Sequence, residues 1–79
     1  MRQEGITAYI ILVVAVGRER AILEELKRME EVKDAKIVYG EYDIIARVET
    51  ASMGELKSVV KRIRELEGVM RSITLIAST

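Results

Sequence analysis

Apolar residues in the first half of the chain follow two different periods. Residues 8–16 form a charge-free run rich in β-branched and aromatic side chains, which predicts a β-strand that Gly17 ends. From Arg18 onward, apolar residues recur at helical spacing and charged residues occupy the opposite face, which predicts an amphipathic helix. The apolar positions of this helix are Ile22, Leu23, Leu26 and Met29.

The second half of the chain repeats this order. Residues 32–39 and 43–49 are strand-like segments on either side of Gly40, and they predict a hairpin. Ser52 is placed to cap a second helix, and Glu55 three residues later completes the pattern of a capping box. The apolar stripe of this helix consists of Met53, Leu56, Val59, Val60, Ile63 and Leu66.

A last strand is predicted from Val69 to Ile76, and Gly68 stands where a left-handed C-terminal helix cap is expected. The order strand–helix–strand therefore occurs twice, and two such units joined by a hairpin define the ferredoxin-like split βαβ arrangement. Right-handed crossovers place both helices on one face of the four-stranded antiparallel sheet. The predicted fold class is α+β with the order βαββαβ, of the dimeric α+β barrel type.

The first strand is apolar on both of its sides, whereas a sheet with one face in water should alternate apolar and polar residues. A second apolar face has to be covered, and a second copy packed sheet to sheet is the economical solution. The alternatives are one buried central strand without a dimer, and a different partner on the same face. The predicted dimer interface consists of Tyr9, Ile11, Val13 and Ile45.

Composition excludes several classes of function. The chain has 79 residues, enough for one domain, and contains neither cysteine nor histidine. Disulfides, thiolate metal sites and the commonest general base are thereby excluded, so neither a metal nor a cofactor is predicted. Lys plus Arg and Asp plus Glu are both 13, and this balance argues against direct nucleic-acid binding.

The apolar run is too short to span a membrane, so a cytoplasmic protein is expected. The composition, rich in Lys and Glu and free of Asn and Cys, resembles that of thermophile proteins.

Two polar places remain as candidate chemistry. The turn at 39–43 offers tyrosine hydroxyls and carboxylates beside a glycine, where backbone N–H groups can approach a ligand closely. Such groups suit a small zwitterion. The second place is a pair of hydroxyls on one face of the last strand. The plainer interpretation is a solvated hairpin turn and ordinary strand hydroxyls. The candidate ligand-binding residues are Tyr39, Gly40, Glu41, Tyr42 and Asp43 in the turn, with Ser72 and Thr74 in the last strand.

Segments 38–45 and 67–74 together resemble the effector domain of the Lrp/AsnC, or feast/famine, regulators, which is called the RAM domain. The resemblance consists of a G-x-Y-D turn followed by an R-[ST]-x-T last strand, and it covers residues 6–76. It implies dimers that pair through their sheets and assemble further into rings of eight subunits. It also implies that an amino acid or related small molecule binds between dimers at the turn and the last-strand hydroxyls. Ser72 stands where the family often has threonine, and this change keeps the hydroxyl.

Full-length members of that family carry an N-terminal helix-turn-helix that binds DNA. Only seven residues precede the first predicted strand, so residues 1–79 are expected to form a stand-alone domain without direct DNA binding. Three hypotheses follow. The first is an amino-acid sensor that self-associates and modulates full-length regulators, and the second is a structural interaction module without a ligand. The third, an enzyme of the dimeric α+β barrel type, is disfavoured by the lack of His and Cys.

Overall fold

A computed structural model describes residues 5–78, which form four strands and two helices. These elements are β1 Ile6–Val14, α1 Glu19–Arg28, β2 Val32–Ile37, β3 Ile44–Thr50, α2 Met53–Arg64 and β4 Val69–Ile76. All strand pairs are antiparallel in the order β2-β3-β1-β4, so β1 and β3 are central. The predicted split βαβ, ferredoxin-like fold is confirmed. Neither helix of the described segment has the length and apolar character that crossing a membrane requires.

The first strand lies two residues closer to the N-terminus than its apolar run predicts. At its start, Ile6 pairs with Thr50 of β3. At its end, the chain leaves the sheet after Val14, and Val16 is 97% exposed in the loop that leads to α1. The apolar run is therefore a poor guide to the strand boundaries, because one of its large residues lies in a solvent-exposed loop.

Capping fixes the start of α2 largely as predicted. The Glu55 amide donates to Ser52 Oγ at 3.1 Å, which satisfies one free donor of the first turn. The Ala51 amide donates to Glu55 Oε1 at 2.7 Å. Ala51 precedes the N-cap residue Ser52, whereas a capping box would use the amide of Ser52 itself. At the other end α2 stops at Arg64 with Glu65 as its C-cap, so the prediction that Gly68 caps the helix is wrong. Gly68 has a φ of +100° but lies farther on, in the turn that starts β4.

The hydrophobic core lies between the two helices and one face of the sheet. Alternate residues of each central strand point into it, because successive strand side chains face opposite sides. The intervening residues, Tyr9, Ile11 and Val13 of β1 and Ile45 of β3, are only half-buried or exposed on the other face. The buried core comprises Ala8, Ile10, Leu12, Val14, Ile22, Leu23, Leu26, Ala35, Ile44, Ala46, Val48, Leu56, Val59 and Ile63.

Candidate functional site

The turn between β2 and β3 is closed by backbone hydrogen bonds at its base. The Val38 amide donates to the Asp43 carbonyl at 2.8 Å, and the Asp43 amide donates to the Leu12 carbonyl of β1 at 2.8 Å. Residues 39–42 extend from this base without belonging to a strand. The predicted candidate turn is therefore a separate protrusion at the end of the sheet where β1 ends.

Asp43 also uses its side chain to hold the turn against β1. The Val14 amide donates to Asp43 Oδ2 at 2.8 Å, and the aspartate is half-buried. Because Val14 is the last residue of β1, this carboxylate satisfies a donor at the end of the ladder. One oxygen of the predicted ligand-binding carboxylate is thus already engaged by the protein itself.

The rest of the turn presents its groups outward. Gly40 has a φ of +128°, a backbone conformation that residues with a side chain adopt only at an energetic cost. Nothing lies within 4 Å of where a Cβ would be. Tyr39 is 96% exposed, Glu41 is exposed and Tyr42 is half-buried. Hydroxyl, carboxylate and open backbone therefore occur together on one small exposed surface.

The two last-strand hydroxyls share one face, as predicted, and the strand register shows that it is the face covered by the helices. Ser72 pairs with Leu12 and Thr74 with Ile10, both of which point into the core. Both hydroxyl residues are half-buried because β4 lies at the edge of the sheet.

Each hydroxyl borders a different depression. Thr74 lines a groove of about 750 Å³ between α2 and β4, beside Lys57 and Lys61. Ser72 lines a hollow of about 270 Å³ beside Arg64. The turn at 39–43 borders neither depression, and β1 separates it from β4. Neither of these two depressions is therefore shared by the turn and the two hydroxyls.

The helix-free face of the sheet, called here the open sheet face, has an apolar centre. Strand pairing places Ile11 between Ile45 and Ile73, and Tyr9 beside Leu75. Leu75 is 53% exposed and Tyr9 is 38% exposed. The sequence analysis did not predict that β4 contributes apolar residues to the open sheet face. The alternation of Ser72 and Thr74 with apolar residues indicated this contribution. The apolar members of the open sheet face are Tyr9, Ile11, Val13, Ile45, Ile73 and Leu75.

Charged residues border this apolar centre on its β2 and β3 side. Arg47 pairs with Tyr9 on one side and with Asp34 on the other, and it also bonds Glu49. Lys36 donates to Asp34 at 2.9 Å, and this hydrogen bond holds the pKa of the Asp34 carboxyl below its ordinary value. An apolar centre with a charged rim is the usual composition of a protein–protein interface.

The chain is thus a small antiparallel α+β domain with an apolar open sheet face and a polar terminal turn. The family model of the Lrp/AsnC ligand binding domain matches residues 7–78, and the chain belongs to this family. The resemblance found in the turn and the last strand is thereby confirmed.

Relatives of the chain are transcriptional regulators. An uncharacterised HTH-type regulator of Pyrococcus furiosus is 30% identical over 60 residues, which cover 75% of this chain and 40% of the regulator. A second, from Pyrococcus horikoshii, is 26% identical over 77 residues, covering 92% of this chain and 51% of the regulator. The chain thus spans about half the length of these relatives, or less.

Solved structures share the fold over nearly the whole chain. A hypothetical protein of Pyrococcus horikoshii is 41% identical with a TM-score of 0.87, covering 94% of this chain and 90% of its own. A protein of Thermus thermophilus is 35% identical with a TM-score of 0.89, covering 94% of each chain. AsnC of E. coli, at 22% identity and a TM-score of 0.86, shares the fold over 94% of this chain and 51% of its own.

Proposed function

We propose that this chain is an effector-binding and self-associating module of the Lrp/AsnC type, which binds an amino acid or a related small molecule where copies meet. The exposed polar turn at 39–43, held in place through Asp43, is the observation that supports the proposal most. The module acts in transcription regulation in the cytoplasm, by contact with full-length regulators and without enzymatic activity.

The chemistry of the turn matches both ends of an amino acid. Carboxylates of Glu41 and Asp43 suit an ammonium group, because charge-assisted hydrogen bonds are about twice as strong as neutral ones. Open backbone at Gly40 suits a carboxylate, since no side chain blocks the approach to N–H groups. A regulator of Neisseria meningitidis with the same fold, 16% identical and with a TM-score of 0.83, was solved as its L-Met complex. That relative supports the ligand class.

The open sheet face supports the self-association half of the proposal. Six apolar residues form its centre, and its charged rim limits non-specific contact. A second copy placed sheet to sheet removes this apolar surface from water and leaves the turn and the α2–β4 groove at the periphery. Further contacts between such pairs then bring the turn of one copy toward the last-strand hydroxyls of another.

Native mass spectrometry of the purified protein with a pool of the common amino acids tests ligand binding. We expect an even-numbered assembly that gains one small mass per subunit. Asp43→Asn keeps an oxygen acceptor for the Val14 amide but removes the charge, so amino-acid affinity should fall about tenfold or more. The matched control is Glu24→Gln, which removes an exposed carboxylate on α1, outside the turn and the open sheet face, and should leave amino-acid affinity unchanged.

Sedimentation velocity tests self-association. Ile11→Asp puts a charge at the centre of the open sheet face and should give a monomer, because burying an unpaired carboxylate is strongly unfavourable. Val16→Asp makes the same change at a residue that is 97% exposed outside this face, so it should assemble like the natural chain. Equal assembly of both variants would refute the interface.

A structural interaction module without a ligand is the second candidate, and one observation favours it. The Asp43 amide already donates to β1, and the Asp43 carboxylate accepts a hydrogen bond from it. The turn therefore has a structural role that requires no effector. An assembly that responds to none of the amino acids would favour this candidate over the sensor.

A further inference from the structure

β4 has one open edge, because the sheet ends there in the order β2-β3-β1-β4. The Ala77 amide donates to the Thr7 carbonyl at 2.8 Å, so these two residues form a hydrogen-bonded pair of the β1–β4 ladder. Hydrogen-bonded and non-hydrogen-bonded pairs alternate along an antiparallel ladder. By the register of β4 with β1, the backbone groups of Ser72, Thr74 and Ile76 therefore point away from β1. These three residues present N–H and C=O groups that no strand of the described chain receives.

The two edges of the sheet differ in how they are protected. β2, at the other edge, carries three charged residues in six, and its register with β3 is irregular. Charges, bulges and proline are the usual devices that keep an edge strand from pairing with another chain. β4 has a bulge opposite Val14 and an arginine near its start, but residues 72–76 include neither a charge nor a proline. This part of β4 is thus a free edge that is open to another extended chain.

The same three β4 residues have their side chains on the helix-covered face. Thr74 and Ile76 line the α2–β4 groove of about 750 Å³, and Ser72 lines the hollow beside Arg64. An extended chain that pairs with this edge would place every second side chain on the same face. Those side chains would therefore lie in the groove and the hollow.

The groove changes in character along its length. Only residues 65–68 connect α2 to β4, so the two elements run in opposite directions and the end of α2 lies near the start of β4. Arg64 accordingly borders Ser72. At the other end the lining is apolar, with Met53 44% exposed and Ile76 51% exposed. An occupant that matches the groove is charged at one end and apolar at the other.

The charge of the groove is positive. Lys57, Lys61 and Arg64 line it, and Glu65 is the one acidic residue among its described lining. None of the three cations forms an ion pair with another described residue, whereas Arg62 of the same helix does. A second copy added edge to edge, β4 against β4, would bring two such rows of cations together, and like charges repel. Charge complementarity therefore favours an acidic occupant over a second copy of this chain.

We propose that the free edge of β4 and the α2–β4 groove bind an extended acidic segment of a partner protein, which adds a fifth strand to the sheet. Main-chain hydrogen bonds to the edge supply affinity, and alternate side chains in the groove supply specificity. In the antiparallel orientation, an apolar residue of the segment lies beside Ile76. Acidic residues two and four positions later lie near Lys61 and Arg64. The inference does not depend on whether the turn between β2 and β3 binds a small molecule.

A blocked peptide of sequence Thr-Ile-Thr-Glu-Thr-Glu-Thr has this pattern and serves as the probe. Three relatives of the peptide separate the contributions. The first has lysine in place of both glutamates. The second is N-methylated at both glutamates, which removes donors that face β4, and the third is N-methylated at the threonines before them, whose N–H groups face away. Affinity is measured by NMR titration of the natural chain, so no variant of the protein is needed for this part.

We expect the probe and the threonine-methylated peptide to bind with affinities within about threefold of each other. The lysine peptide and the glutamate-methylated peptide should bind at least about tenfold more weakly, because each loses charge-assisted or main-chain hydrogen bonds. An excess of the probe should slow hydrogen exchange at the Ser72, Thr74 and Ile76 amides about tenfold or more. The Ile73 amide, which faces β1, should not change.

Charge reversal in the protein tests the groove itself. Lys61→Glu should weaken binding of the probe about tenfold or more, since it replaces an attractive charge with a repulsive one. Arg20→Glu is the matched control, because it makes the same change of net charge at an exposed residue of α1.

Absence of binding would overturn the proposal, as would binding that is equally strong when the glutamates are N-methylated. Equal affinity for the glutamate and lysine peptides, or equal effects of Lys61→Glu and Arg20→Glu, would overturn the acidic preference. If the three edge amides are protected in the free protein and lose this protection on dilution, a second copy occupies the edge and the proposal fails.

Discussion

Gly68 is the position where adding one methyl group should be most costly outside the core. Its φ is +100°, and a Cβ built there would lie 2.8 Å from Cγ of Arg18 and 3.0 Å from Cβ of the same side chain. Arg18 crosses this glycine so that its guanidinium reaches the Glu67 carbonyl at 3.4 Å. The Ala15 amide donates to the Gly68 carbonyl at 2.8 Å. Gly68 therefore joins the loop after β1 to the turn before β4.

Two costs add in Gly68→Ala. A non-glycine residue in left-handed backbone loses about 1–2 kcal/mol, independent of its neighbours. Relieving the contact with Arg18 adds about 1–3 kcal/mol, because the crowded atoms are Cβ and Cγ, the two side-chain carbons nearest the backbone. The sum, about 2–5 kcal/mol, corresponds to a fall in Tm of roughly 8–40 °C for a domain of this size.

Urea unfolding at one fixed protein concentration measures these costs, since the stability of an assembling protein depends on concentration. Gly40→Ala is the control for backbone alone, because nothing surrounds its Cβ, and it should cost less than Gly68→Ala. Gly54→Ala, inside α2 and without a positive φ, should be neutral or stabilising. Arg18→Ala should reduce the cost of Gly68→Ala by about 0.5 kcal/mol or more in a double-mutant cycle. Equal costs at Gly68 and Gly40 with no coupling to Arg18 would refute this account of the contact.

Two further predictions concern α2. Ser52→Ala removes the cap that accepts the Glu55 amide and should lower the free energy of unfolding by about 1 kcal/mol in the same urea assay, whereas Ser52→Asp should preserve it. A hydrogen bond from its own backbone amide, and then Arg62 at 2.9 Å, hold the pKa of Glu31 below its ordinary value. A lowered folded-state pKa stabilises the fold above the ordinary pKa of about 4.3, and this contribution is lost as the pH falls below it. Arg62→Gln should flatten the acid limb of a plot of unfolding free energy against pH, and an unchanged limb would contradict this assignment.

Periodicity was enough to predict the order of the elements, because each strand and helix contributes an apolar face to a single core. Boundaries were harder where an apolar residue lies outside its element, as Val16 does in the loop after β1. The wrong prediction that Gly68 caps α2 also came from a local pattern, because the helix ends earlier, at Arg64. A positive φ was correctly expected for this glycine, but the contact with Arg18 comes from a distant loop and leaves no local pattern in the sequence.

The candidate site divides in the same way between local and long-range information. Turn chemistry at 39–43 could be predicted from residue types, and the shared face of Ser72 and Thr74 from strand alternation. Which face they share depends on the register between β4 and β1, which no short segment encodes. The bond from Val14 to Asp43 depends on where β3 begins and on the bulge opposite Val14, so it becomes visible only in the folded chain.

Under the proposed function, this geometry makes ligand binding and assembly parts of one equilibrium. Under this proposal, a ligand that touches both the turn and the Thr74 hydroxyl bridges copies, because β1 lies between the turn and β4 within one chain. Such a ligand binds the assembly and not the single chain, and at a hundred times its dissociation constant it would stabilise the assembly by about 2.7 kcal/mol per site. Under this proposal, a domain without His or Cys responds to a small molecule through assembly.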